Sequence, residues 1–226
     1  MGFLLSFLIQ SVCFLFPFCL RRIFLNTLLA FQIHPTAKIG FSYLFADKVI
    51  IGEHAVIGSL TLVRRLKELR LDKYARLGNM NWVSGGQKEN SGFFLHRLDR
   101  YPCLILEKHA AITGHHRIDA TDSVQVGAYS TIAGYHTQIL THSINISKCR
   151  QDCVSIKVGS YCFIGTRCIL LAGSRIPDYS VIGAGAVVTA NSLKEKYMFY
   201  GGVPARPIRK LSTSTGYFLR TKGFVD

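Results

Sequence analysis

A period of six limits what this chain can fold into. Over residues 157–189, KVGSYCFIGTRCILLAGSRIPDYSVIGAGAVVT, an aliphatic side chain returns at Val158, Ile164, Leu170, Ile176, Ile182 and Val188. A small residue follows directly at Gly159, Gly165 and Gly183. Six matches neither the 3.6-residue turn of a helix nor the two-residue alternation of a plain strand. It suits a chain that makes a short strand, turns a corner and repeats. Three such hexads close a triangular coil of about eighteen residues, and coils stack at a strand spacing of roughly 4.8 Å. The expected fold class is all-β: a parallel β-helix, a triangular prism of hexapeptide repeats with its aliphatics inside.

The same register runs upstream through Ile33, Ile39, Phe45, Ile51, Ile57 and Val63. It slips at residues 64–70, RRLKELR, where a corner is expected to bulge out, and resumes at Leu71, Leu77 and Val83. Later it appears at Leu106, Ile112, Ile118, Val126 and Ile132. Two stretches interrupt it, 85–103 and 137–155, and slips of this kind map to loops on a solenoid. The chain therefore divides into an apolar segment at 1–31, the β-helix domain at 32–211 and a short C-terminal tail at 212–226. The first loop carries Phe93, Phe94, His96, Arg97 and Arg100. Aromatics and cations on a loop held by a rigid scaffold suit substrate contact, with His96 and Arg100 as candidates. A packing flap between subunits is the alternative reading.

Residues 1–31 hold no charged side chain before Arg21 and Arg22. The charges follow the apolar run and no small-residue cleavage site ends it, so it does not read as a signal peptide. Gln10 and Pro17 interrupt it as a membrane span, which needs about 20 apolar residues. The expectation is an apolar helical segment lying on the inner leaflet, with Arg21 and Arg22 at the headgroups and the protein otherwise cytoplasmic. A helix that only packs on the prism or on a partner subunit is the plainer alternative. The formal charge is +14. It is spread along the chain without a nucleic-acid-binding motif, so no nucleic-acid partner is expected. The seven cysteines show no paired CxxC spacing and are expected to be reduced thiols.

Histidine usage is uneven: His109, His115, His116, His136 and His142 crowd into a small share of the chain. Adjacent His115 and His116 point opposite ways in a strand, and no metal site is expected. No GxSxG or Cys-His motif supports a covalent intermediate; Cys149 and Cys153 have only the neighbouring Lys148 and Arg150 to activate them. A single general base fits best. Direct acyl transfer from a thioester needs a base near neutral pKa and a donor for the tetrahedral oxyanion, and imidazole suits the first task.

With these residues in view, the chain resembles the hexapeptide-repeat acyltransferases, the left-handed β-helix group, over roughly 33–211. The most specific part is VIGAGAVVT followed by YGGVPARPIRKL, similar to the family's last coil and its Gly-Asn-Pro-Ala-Lys closing motif, with Val203 in place of the usual Asn. Within the group the likeness is to O-acetyltransferases of polysaccharide and lipopolysaccharide synthesis, carried by HAAITGHHRIDAT, IAGYHTQILTHSINI and SKCRQ. The resemblance implies a homotrimer whose catalytic histidine lies where a strand gives way to a loop. His142 matches that place, and His116 is the second candidate. Asp119 or Asn145 would fix a histidine tautomer. It further implies that acetyl-CoA lies between subunits along the C-terminal coils, on Gly165, Gly183, Ala184 and Gly185, with Arg206, Arg209 and Lys210 meeting its phosphates. The expected function is acetyl-CoA-dependent O-acetylation of a sugar hydroxyl, the acceptor being a saccharide or lipid-linked saccharide of cell-surface polysaccharide synthesis. N-acetylation of an amino sugar needs the same base and groove. A zinc hydratase like the γ-class carbonic anhydrases and a non-catalytic scaffold are readings of another class. The former needs two histidines separated by four residues, a spacing that no pair here has.

Overall fold

The computed structural model describes residues 2–86, 94–223 and 225. Short strands stack in parallel into three flat faces. One is the nine-stranded sheet, and the other two make up the twelve-stranded sheet. That sheet continues round one edge because the strands Tyr43–Ile51 and Leu62–Leu71 each run from one face into the next. Inward columns of aliphatics line the three faces. One holds Leu71, Leu106, Val126 and Val158, the second Leu77, Ile112, Ile132 and Ile164, and the third Val83, Ile118, Ile139 and Leu170. All twelve are 0–1% exposed. The parallel prism with its aliphatic core is as the period of six predicts.

Register spacing shows where coils lengthen. Ile33 pairs with Ile51, and Val158 with Ile176, one eighteen-residue coil in each case. At residues 64–70 the expected corner loop is replaced by a bulge inside the continuous strand Leu62–Leu71. Phe45 pairs with Arg64 but Ala46 with Leu66, so Arg65 is the extra residue, at φ 59° and exposed. An extra residue in one strand twists the pair locally and re-aims the side chains beyond it. The register there also corrects the sequence reading at Phe45: Leu44 points inward, 1% exposed, and Phe45 is displaced onto the side.

Two corners of the prism carry columns of left-handed residues. At the first, His54, Tyr74, His109, Tyr129, Tyr161, Tyr179 and Tyr197 all sit at φ between 54° and 60°. Their rings stack one on the next at 4.6–5.3 Å. At the second, Met80, His115, His136 and Arg167 repeat the same backbone turn. Inside that corner runs a ladder of polar side chains, each accepting the backbone N–H of the next coil. Ser42 Oγ takes Thr61 N–H, Thr61 Oγ1 takes Asn81, Asn81 Oδ1 takes His116, His116 Nδ1 takes Thr137 and Thr137 Oγ1 takes Cys168. Buried backbone donors must be paired, and these rungs pair them where the sheet ladder is interrupted at the corner. All seven cysteines are free, and Cys162 and Cys168 are fully buried.

The apolar N-terminal segment folds as two helices, α1 (Phe3–Cys13) and α2 (Phe18–Leu28), broken at Pro17. They cover the open end of the first coil. The Gln10 amide imitates a strand: its Oε1 accepts from Leu44 N–H at 2.8 Å and its Nε2 donates to Leu44 O at 3.1 Å, which satisfies an otherwise bare sheet edge. Arg21, expected at the headgroups, is instead 5% exposed. It donates to the Gly40 carbonyl and lies over the rings of Phe14, Phe18 and Phe41. At the other end, the strand Arg206–Lys210 turns back antiparallel on Met198–Gly201 and closes the nine-stranded sheet. The tail then forms α3 (Gly216–Leu219), whose Tyr217 and Phe218 pack edge-on against Phe163, Tyr179 and Tyr197.

Candidate active site

Both interruptions of the hexad period leave the prism at its third corner. The first comes after Val83 and rejoins at Leu104; the second comes after Ile139 and rejoins at Ile156. The coil between them turns the same corner at residues 119–123. Stacking therefore brings together segments more than fifty residues apart in sequence. The second interruption is a hairpin, His142–Asn145 paired antiparallel with Arg150–Cys153.

His142 opens this hairpin. Its Nδ1 lies 3.6 Å from Asp119 Oδ2, and its Nε2 lies 2.8 Å from Gln151 Oε1 on the facing strand. The Asp119 carboxylate is itself held: Oδ1 accepts from the Thr121 N–H at 2.8 Å and from Thr121 Oγ1 at 2.6 Å. That leaves Oδ2 to face the imidazole. Phe94 packs edge-on against the His142 ring, with centroids 5.6 Å apart. The His142 side chain keeps 35% of its surface, so the site is roofed but open to a substrate.

The roof is residues 94–101. Arg97 ties it to the hairpin, donating to Asp152 Oδ1 at 3.0 Å and to the Cys153 carbonyl, and pairs with Asp122 at 3.5 Å. His96 lies 3.5 Å from Asp152. Arg100 lies over Phe94 at 5.0 Å and donates to the Thr121 carbonyl. Asp152 feels burial pushing its pKa up, yet the Cys153 N–H, Arg97 and His96 outweigh it and hold the carboxyl below its ordinary value. The described part of the 85–103 loop is thus a flap on its own chain's site. Phe93 lies outside the described residues.

The other predicted site residues separate. His116 is 1% exposed, with Nδ1 accepting from Thr137 N–H and Nε2 2.9 Å from Thr113 Oγ1. Burial, with His136 and His115 nearby, pushes its pKa down to about 4. Both nitrogens are engaged and no face is open to an acceptor, so the side chain works as a ladder rung. Asn145 sits at the far end of the hairpin strand, where its Oδ1 accepts from Ser147 and Lys148 in the turn. Cys153 is fully buried and pushed up to about 11 by burial. The five crowded histidines disperse: His109 to the first corner, His115 and His136 to the second, His116 inside it and His142 to the third. Among the described residues, no three His, Cys, Asp or Glu side chains converge to hold a metal.

The C-terminal residues lie on a different part of the prism. A Cβ on Gly165 would stand 2.7 Å from Ala184 N, so the glycine serves the close approach of the next coil. Gly183 backs onto the Phe199 ring. Gly185, at φ 71°, is the glycine of the three with open space before it, and Ala184 beside it is exposed. Arg206, Arg209 and Lys210 are all exposed on the closing strand, Arg209 over the Phe199 ring.

Gln151 and Asp152 are site residues that the sequence reading did not name as candidates, and Arg97, noted in the loop, was not chosen there with His96 and Arg100. A hairpin between 142 and 153 would have placed Gln151 and Asp152 beside the histidine, and the polar run there hides that alternation.

No protein-family model matches this chain, and no curated protein matches it. Solved structures do resemble it. A polysialic acid O-acetyltransferase, OatWY, is 17% identical over 83% of this chain and 90% of its own, with a TM-score of 0.59. A variant of AntD, an N-acyltransferase from Bacillus cereus bound to dTDP and coenzyme A, is 13% identical over 77% and 84%, at 0.47. A maltose O-acetyltransferase from Clostridium difficile 630 is 17% identical over 85% and 75%, at 0.37. The chain thus shares the fold of a polysialic acid O-acetyltransferase.

Proposed function

We propose that this protein is an acyltransferase that moves an acetyl group from acetyl-CoA to a sugar hydroxyl. The observation that carries the reading is His142: an accessible imidazole, backed by a fixed carboxylate, under an aromatic roof at the one corner where both loops emerge. With a proton on Nδ1 facing Asp119, the lone pair of Nε2 is the base. The Gln151 amide, turned to present its NH2, covers that lone pair until the acceptor hydroxyl displaces it. His142 then takes the hydroxyl proton as the oxygen attacks the thioester carbonyl. Collapse of the tetrahedral intermediate returns the proton to the departing thiolate, and the acetyl ester and CoA result. The open backbone at Ala184 and Gly185 and the exposed Arg206, Arg209 and Lys210 suit a thin amide chain ending in phosphates.

The same reading takes the coils as left-handed and the assembly as a trimer, since a groove on one flat face is shallow. It also places the apolar cap on an anionic lipid surface. Phe3, Leu4, Leu5, Val12 and Leu15 are each more than half exposed. The first acidic residue of the chain is Asp47, and exposed Lys38 and partly exposed Arg22 lie at the rim. No described helix is long and apolar enough to cross a membrane, so the cap would lie on the surface.

The test is acetyl-CoA turnover against nucleotide sugars, free oligosaccharides and lipid-linked saccharides. His142→Ala is expected to fold normally and lose about 10²–10⁴-fold in kcat. Full activity in that variant would remove His142 from the chemistry.

A further inference from the structure

The face that leads to His142 carries a second feature, at the opposite end of its strands. Three neighbouring strands, Trp82–Ser84, Arg117–Asp119 and Gln138–Leu140, align Trp82, Arg117 and Gln138 in one outward row. With Met80, His115, His116 and His136 from the second corner they line a cavity of about 370 Å³. Trp82, the single tryptophan of the chain, keeps 42% of its surface. Arg64 reaches its ring from the strand on one side, with the guanidinium carbon 5.4 Å from the centroid. Arg117 reaches it from the other side at 5.7 Å.

Among the described residues neither Arg64 nor Arg117 makes an ion pair, and no Asp or Glu lines the cavity. Arg64 Nε is buried without a hydrogen-bond partner. Asp119, two residues along the strand from Arg117, is committed to Thr121 and His142. Stacking on indole uses the flat face of a guanidinium and leaves its edge of N–H donors for a planar or tetrahedral anion. The Arg117 edge, with Arg64 on the other side of the indole, sets up a positive potential that no described acidic side chain lining the cleft neutralises.

We propose that this cleft is an anion subsite for the acyl acceptor, and that the acceptor is a negatively charged saccharide, held by its carboxylate or phosphate on Arg117, with Arg64 adding positive charge from the other side of the Trp82 ring. The inference rests on the acyl-transfer reading of His142. Arg117 and Asp119 stand on one strand, roughly 7 Å apart at the usual rise. An acceptor anchored by its charge at Arg117 therefore presents a hydroxyl of the same or the adjoining sugar at the imidazole. The proposal makes the cleft a specificity element: it selects the acceptor by charge, while the donor is read at the C-terminal coils.

Trp82 supplies the readout, because its fluorescence reports this cleft alone and needs no turnover. The full chain is titrated with galacturonate, glucuronate and sialate oligomers, with neutral oligosaccharides of the same length and with coenzyme A. At least one carboxylated oligomer is expected to give a saturable change that weakens with salt, and the neutral sugars none. Arg117→Gln should raise the apparent Kd roughly tenfold or more, and Arg64→Gln should raise it by less. His142→Ala should leave the titration unchanged, so loss of the catalytic reading and loss of the subsite are seen separately. Equal responses to charged and neutral sugars, or no response to any carboxylated oligomer, would overturn the proposal. A response to coenzyme A alone, weakened in the arginine variants, would make the cleft a donor site and overturn it equally.

Discussion

His116 shows how a residue that reads as catalytic can be structural. Its Nδ1 receives the Thr137 amide as Asn81 Oδ1 receives the His116 amide one coil below. Truncation to alanine leaves that amide unpaired in a closed core, at a cost of about 2–4 kcal/mol. Asparagine keeps an acceptor on a short side chain, as Asn81 does, so His116→Asn should recover much of the loss in denaturant melts. The histidine also makes stability pH-dependent. Its folded pKa, about 4, lies below an unfolded value near 6.5, so protonation favours the unfolded chain. Stability is full above pH ~6.5 and falls as pH drops from there towards 4, by on the order of 3 kcal/mol. His116→Asn should lose this particular dependence; an unchanged slope would mean that the side chain is not the buried neutral rung seen here. Asp119 gives the opposite contrast. Asp119→Asn keeps an oxygen for the Thr121 amide but removes the charge facing His142. Its expected signature is an unaltered melt with kcat lowered by about 10²-fold or more and donor KM unchanged.

At the scale of the element, the strand pattern was legible and the corners were not. A period of six fixes which side chain points inward because each coil repeats the same three short strands, and the register from Val158 to Val188 keeps to it residue for residue. Corners depend on contacts between coils, which are eighteen or more residues apart. Hence the aromatic column from His54 to Tyr197, each ring at positive φ, gave no local signal. Phe45 was misplaced for a related reason: the corner after Ile39 is one residue short, so the inward place falls five residues on, at Leu44, which pairs with the inward Val63. The two loops were visible as breaks in the period. That they share a corner emerges only when Val83 and Ile139 are placed in one column, which also carries Asp119 to His142. Gly165 tests the stacking directly. A methyl there meets backbone at 2.7 Å, whereas one on Gly183 meets the edge of a ring at 3.2 Å. Gly165→Ala should cost about 1–3 kcal/mol, several degrees in Tm, and Gly183→Ala clearly less. Equal melting temperatures would mean that the coils yield more readily than their spacing indicates.

For the whole molecule the unusual surface is the end, not the face. A solenoid must terminate in a cap, and the outward side of a cap normally has to be polar to stay in solution. Here α1 satisfies the first coil with Gln10 and turns Phe3, Leu4, Leu5 and Leu8 outward without a single charge. A protein partner of ordinary kind would meet a rim of hydrogen-bonding groups there, about one bond per 100–200 Å². This surface offers exposed hydrocarbon without charge, the feature on which the proposed lipid contact rests. In a trimer with parallel prisms, three caps would face one way, and their weak individual affinities would combine by linkage. The full chain should therefore float with vesicles containing phosphatidylglycerol, and less with neutral ones. Leu4→Asp with Leu8→Asp should abolish flotation while the melt and acetyl-CoA turnover on soluble acceptors persist, since both side chains already stand in solvent. Flotation that survives the double substitution would move the membrane contact elsewhere on this basic surface. A wild-type chain that ignores anionic vesicles would leave the cap to a protein partner, and a deletion of residues 2–31 would then have to expose the Leu44 edge that Gln10 now covers.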